Sequence, residues 1–181
     1  MKRALIALVL SSLALVSCQT RPLRTVESVD LKRYGGLWYE VARLPNVFQR
    51  DDSRATAEYT LKNTGTIHVV NTEYRPDGNR KVVAGEGTVV PESRGSRLIV
   101  KFPGLAALLP EKKEGNYWVI ACAPDYSVAL VGTSDRRFLW LLARQPSLPA
   151  GIRDQYLAIA RQQGFLTGKM IMADWSQVPR S

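Results

Sequence analysis

From residue 37 onward the chain alternates between apolar and polar positions. In RLIVKF, Leu98, Val100 and Phe102 share one face, while Arg97, Ile99 and Lys101 share the other. In RATAEYTL, Ala57, Tyr59 and Leu61 oppose Thr56, Glu58 and Thr60 in the same way. A period of two puts successive side chains on opposite faces of a half-buried strand. Six further runs have strand character: LWYEVAR, TIHVVNTEY, RKVVAGEGTVV, NYWVIACA, SVALVGT and RFLWLLAR. Turn chemistry separates them, as in Asn63-Thr64-Gly65, Pro76-Asp77-Gly78-Asn79 and Thr133-Ser134-Asp135. Such spacing predicts an antiparallel barrel or sandwich rather than βαβ units, and the alternation favours closure around an apolar interior. A single helix follows, with Ser147 to cap it, Pro149 in its first turn and Gly164 at its end. Ile152, Tyr156 and Ile159 form the stripe that would pack on the outside of the sheet. KMIMADW supplies a short final strand.

The N-terminal pattern is different. Lys2 and Arg3 precede an apolar run from Ala4 to Val16, broken only by Ser11 and Ser12. The run is too short to span a bilayer as a helix, which needs about 20 apolar residues, and it reads as a secretory signal over 1–17. Leu15-Val16-Ser17-Cys18 resembles a bacterial lipobox, in which Cys18 becomes the first mature residue and carries diacylglycerol. More than one acyl chain gives stable anchoring. Residues 18–30 then read as a lipidated N-terminus and tether, with the folded domain over 31–181. The formal charge of +9 falls by two without Lys2 and Arg3. With Cys18 acylated, Cys122 has no partner for an intrachain disulfide, and its place in NYWVIAC points to burial in a strand.

Catalytic chemistry is thinly provided. One histidine, His68, and two separated cysteines fall short of a zinc ligand set, so no metal or cofactor is expected. A Cys122–His68 nucleophile pair is formally possible, but no nucleophile-elbow pattern is present. GFLTGKM is one residue short of a phosphate loop, and no Ser or Thr follows Lys169. Bases scattered among acids on an exported protein argue against nucleic acid as a partner.

The stretch GGLWYEVARLPNVF, residues 35–48, changes the picture. Gly36-Leu37-Trp38 resembles the G-x-W signature of the lipocalins. Asp125-Tyr126 in CAPDYSVAL is similar to that family's turn between the sixth and seventh strands, and Arg144 in LWLLARQP to the basic residue after the eighth. Pro124 departs from the pattern at the turn. The resemblance covers about Leu31 to Trp175. LWYEVARLPNVFQ, ATAEYTL, YRPDG and LWLLARQP look most like bacterial outer-membrane lipocalins related to apolipoprotein D. It implies an all-β, eight-stranded antiparallel up-and-down barrel with one C-terminal helix packed outside. It further implies that Trp38 plugs the closed end beneath Arg144.

Matching strand parity to that barrel, Ala57, Tyr59, Val69, Asn71, Val83 and Gly85 point inward. So do Val100, Phe102, Tyr117, Val119, Phe138 and Trp140. Small Ala57 and Gly85 leave volume for a ligand, and Asn71, Tyr59 and Tyr117 offer polar anchors. The expected function is a lipid-anchored binder of a fatty acid, lysophospholipid or similar lipid. Its place is the outer membrane facing the periplasm, since Gln19 rather than aspartate follows Cys18. The alternatives are a lipid-modifying enzyme using Cys122, or a binder of haem or a retinoid. The apolar loop at 102–113 would lie at the mouth, as a lid or dipping into the membrane. Oligomeric state is left open.

Overall fold

The computed structural model describes residues 22–104 and 113–176. The expected signal over 1–17, Cys18 and most of the apolar 102–113 segment therefore lie outside the described residues. Eight strands wind up and down: β1 (Gly36–Arg43), β2 (Arg54–Leu61), β3 (Ile67–Tyr74), β4 (Arg80–Val89), β5 (Arg97–Lys101), β6 (Tyr117–Cys122), β7 (Val128–Gly132) and β8 (Leu139–Ala143). Each pairs antiparallel with the next, and β1 pairs with both β8 and β2, so the sheet closes into a barrel. Closure removes the unpaired edges of an open sheet. A ninth strand, β9 (Ile171–Met172), adds to the upper part of β1. Up-and-down order follows from tight turns. In the β3–β4 turn, Arg75 N–H donates to Asn79 carbonyl at 3.0 Å, and Gly78 takes the left-handed φ of +82°.

One end of the barrel is closed. Asp30 caps the short helix α1 (Leu31–Tyr34), accepting from Lys32 and Arg33 N–H at 2.9 and 3.3 Å. The helix delivers Tyr34 and Trp38 to the floor, and both are buried. Upstream of α1, the described part of the segment expected as a tether is 22–30. From Leu23 it is bound along the barrel wall. Leu23 and Val29 are buried, Val26 N–H donates to Val119 carbonyl at 3.0 Å and Val29 N–H to Arg94 carbonyl at 3.0 Å. Leu23, Val26 and Val29 recur every third residue, outside the period of two that marks the strands, so the strand pattern does not reveal them.

Helix α2 (Ala150–Gln162) packs outside. Ser147 does not cap it. Pro149 occupies the N-cap position without a side-chain hydrogen bond, and Gly164, φ +88°, ends the helix region. Its buried residues are Tyr156 and Ala160, joined by partly buried Ile159, while Ile152 is exposed rather than part of the stripe. The helix explains why β7 and β8 read as continuous apolar runs. Leu130, Leu139 and Leu141 face it in an outer core, while Val131 and Leu142 face the barrel interior. Strands covered on both faces lose the alternation of half-exposed ones.

Candidate functional site

Inside the barrel, above the floor, lies a cavity of about 650 Å³. Ten of the twelve inward positions read from parity line it. Ala57, Tyr59, Val69, Asn71 and Val83 come from β2, β3 and β4; Val100, Phe102, Tyr117, Phe138 and Trp140 come from the opposite side. Gly85 and Val119 do not line it. A Cβ on Gly85 would sit 2.3 Å from the Lys101 carbonyl oxygen and 2.6 Å from Phe102 Cδ1. Gly85 therefore leaves room for its neighbours rather than for a ligand. Val119 is buried in the packed lower core with Leu98, Ala129 and Val131.

Residues not foreseen complete the wall. Asn46, Val47, Phe48 and Gln49 of the β1–β2 loop, together with Lys81 and Arg137, ring the mouth. Phe48 packs on Phe138 at 5.3 Å between centroids, and Phe138 stacks on Trp140 at 6.0 Å. Glu40 also lines the cavity. Its signal was present, since it shares the parity of Trp38. Arg43 shares that side only because the β1–β8 register shifts between Glu40 and Ala42, a bulge that turns one residue out of the alternation.

Glu40 and Arg43 form a buried ion pair. Arg43 Nη1 donates to Glu40 Oε1 at 3.1 Å, and Gln49 Nε2 donates to the same oxygen at 3.0 Å. Arg43 also donates to the carbonyls of Arg50 and Ser53. The pair ties the β1–β2 loop down beside the mouth. Burial pushes the Glu40 carboxyl up to about 7, against the pull of Arg43 and Gln49.

At the deep end three phenols meet. Tyr34 Oη and Tyr117 Oη are 2.7 Å apart, and Tyr117 Oη donates to Tyr59 Oη at 2.9 Å. Burial raises all three phenols, Tyr59 to about 12, so they are neutral donors at physiological pH.

Beneath them, Arg144 Cζ lies 3.8 Å from the centroid of the Trp38 ring. Its guanidinium donates to the carbonyls of Leu37, Arg33, Tyr34 and Gly35 at 2.8–3.1 Å. These include the orphan acceptors at the end of α1. Gly36 takes a φ of +86° beside that guanidinium, a left-handed backbone that favours glycine at the start of the strand. In the β6–β7 turn Asp125 accepts from Ser127 N–H at 3.0 Å. Tyr126 hydroxyl accepts from Asp30 N–H at 2.9 Å, and Arg33 donates to Pro124 carbonyl at 2.8 Å.

Cys122 and His68 are not brought together. Cys122 ends β6 near the closed end, where burial pushes its thiol up to about 11, the opposite of nucleophile activation. His68 lines a shallow outer groove with Lys62 and Glu86.

The lipocalin-like domain family matches residues 29–174. The outer membrane lipoprotein Blc of Escherichia coli K12 is 33% identical over 184 residues, covering 98% of this chain and 97% of that one. Apolipoprotein D of Rattus norvegicus is 35% identical over 146 residues, covering 76% and 71%. Among solved structures, insecticyanin of Manduca sexta superposes with a TM-score of 0.62 at 18% identity, covering 86% and 85%, a likeness of fold alone. A closed eight-stranded barrel, a family match across most of its length and relatives above 30% identity make this chain a member of the lipocalin family.

Proposed function

We propose that this lipocalin is anchored to the outer membrane by acyl chains on Cys18. In its barrel it stores or carries one amphiphile with a long apolar chain, a fatty acid or lysophospholipid. The observation that carries this reading is the cavity. At about 650 Å³, walled by Val69, Val83, Val100, Phe102, Phe138 and Trp140 with few polar groups, it has the size and character of a small-molecule site, roughly 300–1,000 Å³. Its cations, Lys81 and Arg137, stand at the mouth, where an anionic headgroup would remain in water. The bacterial relative is named an outer membrane lipoprotein, and Cys18 sits in a lipobox-like sequence.

The bound N-terminal segment supports a mouth held near the membrane. Gln163 accepts from Arg24 N–H and donates to Arg24 carbonyl, both at 2.9 Å. The Gln163 carbonyl accepts from Arg136 in the β7–β8 turn at 2.6 Å. That turn belongs to the open end. Three residues lie between Cys18 and Pro22, so an acyl anchor on Cys18 would be tied to Pro22 by at most about 14 Å of chain. Val47, 88% exposed, and Phe48 stand on the same rim.

Native mass spectrometry of protein extracted from membranes tests the ligand. The expected result is a fatty acid or lysophospholipid adduct; a bare protein that also fails to bind added fatty acid would refute the reading. Two substitutions sharpen it. Ala57→Trp fills the cavity and should weaken fatty-acid binding by more than tenfold, while the circular dichroism of the barrel is unchanged. Undiminished affinity would place the ligand elsewhere. Cys18→Ala should shift the protein from the membrane to the soluble periplasmic fraction with its melting temperature intact; retention on membranes would refute acylation as the anchor.

A further inference from the structure

Proton counting at the deep end of the cavity says more about the ligand. Each phenol hydroxyl brings one proton. Tyr117 spends its proton on Tyr59, so the 2.7 Å contact with Tyr34 is made with the proton of Tyr34. The proton of Tyr59 then has no acceptor among the described residues. Tyr59 is 5% exposed, so it does not reach bulk water from the barrel's outer surface. Tyr59 and Tyr117 line the cavity, and Tyr34 does not. The open donor therefore faces the deep end of the cavity. A buried donor without a partner is costly, and a ligand that supplies the acceptor gains what the empty floor lacks.

The kind of acceptor is constrained as well. Among the described residues, no cationic side chain lines the deep end. Lys81 and Arg137 are at the rim, and Arg144 lies behind the Trp38 plug. An ionised carboxylate buried there would lack a counter-charge. The relay offers a donor and seeks no second proton, so its complement is an oxygen that accepts without donating.

We propose that the Tyr34–Tyr117–Tyr59 relay is a subsite for an uncharged carbonyl oxygen carried far along the apolar chain of the ligand, whose anionic end stays at the mouth. This rests on the reading of the cavity as an amphiphile site. It selects an oxidised chain, a keto-acyl compound, over a plain saturated one.

The test is a positional scan. Stearate and a set of oxostearates, with the ketone moved from the middle of the chain toward its methyl end, are measured by displacement of a fluorescent fatty acid. One ketone position is expected to bind about tenfold more tightly than stearate. Tyr59→Phe, which removes the hydroxyl and keeps the ring, should erase that preference, so that every oxostearate binds the variant no more tightly than stearate does. Tyr34→Phe should retain the preference, because the proton of Tyr59 remains. Stearate binding with no preferred position, or a preference that survives Tyr59→Phe, overturns the subsite and leaves the lipid-binding reading standing. Failure of stearate and of every oxostearate to bind overturns both.

Discussion

Trp38→Ala is expected to destabilise the barrel by about 3–5 kcal/mol, as truncation of a large buried aromatic does. The ring is 0% exposed, its Nε1 donates to Tyr34 carbonyl at 2.8 Å, and the Tyr34 ring lies 5.0 Å away. The plug has little room to relax, because α1 and the Arg144 guanidinium pack against it. Arg144→Ala should cost less, about 1.5–3 kcal/mol, the range for hydrogen bonds made by a charged group. Arg144→Lys would not restore the loss, since an ammonium cannot reproduce the planar fork that reaches five carbonyls, that of Tyr126 included. A double-mutant cycle in urea should show coupling of about 0.5–2 kcal/mol, the worth of a guanidinium over an indole face. Strict additivity would contradict the 3.8 Å stacking.

Arg43→Met should be of similar size, about 3–5 kcal/mol, because removing one member of a buried pair strands the other. Arg43 is 0% exposed and Glu40 3%. The Arg43→Met/Glu40→Leu double variant should recover much of the loss, since an apolar pair incurs no desolvation of charge. Glu40 also sets a pH dependence. Its native carboxyl is raised to about 7 from an ordinary 4.5, so the folded state holds a proton that the unfolded chain has released. Its contribution to stability is complete below about 4.5, declines as pH rises to about 7, and is level above. The stability of the wild type relative to Glu40→Gln should fall across that window in chemical denaturation. A flat difference would show that Glu40 ionises normally.

Much of the fold was legible because one face of most strands is wet. β2 and β5 alternate cleanly, and strand parity matched to the barrel of the resembled family found ten residues of the cavity wall. Legibility failed where a second surface covers the strand, or where a residue is defined by its neighbour across the sheet. Gly85 has the right parity and small size, yet the Lys101 carbonyl at the end of the adjacent strand and the ring of Phe102 just beyond it occupy its space. The mouth residues Val47, Phe48 and Gln49 belong to a loop without period, so no pattern marked them.

The sequence by itself determined the number and order of the strands, the late helix and the signature at Trp38, Asp125-Tyr126 and Arg144. These depend on local periodicity, turn residues and short motifs, which are written within a few residues of one another. Only the tertiary structure decided that 22–30 binds the wall, that a bulge turns Arg43 inward beside Glu40, and that three tyrosines 25 to 83 residues apart share two hydrogen bonds. Each of these depends on which strands become neighbours when the barrel closes. Closure is a long-range event, and local pattern carries no record of who stands opposite.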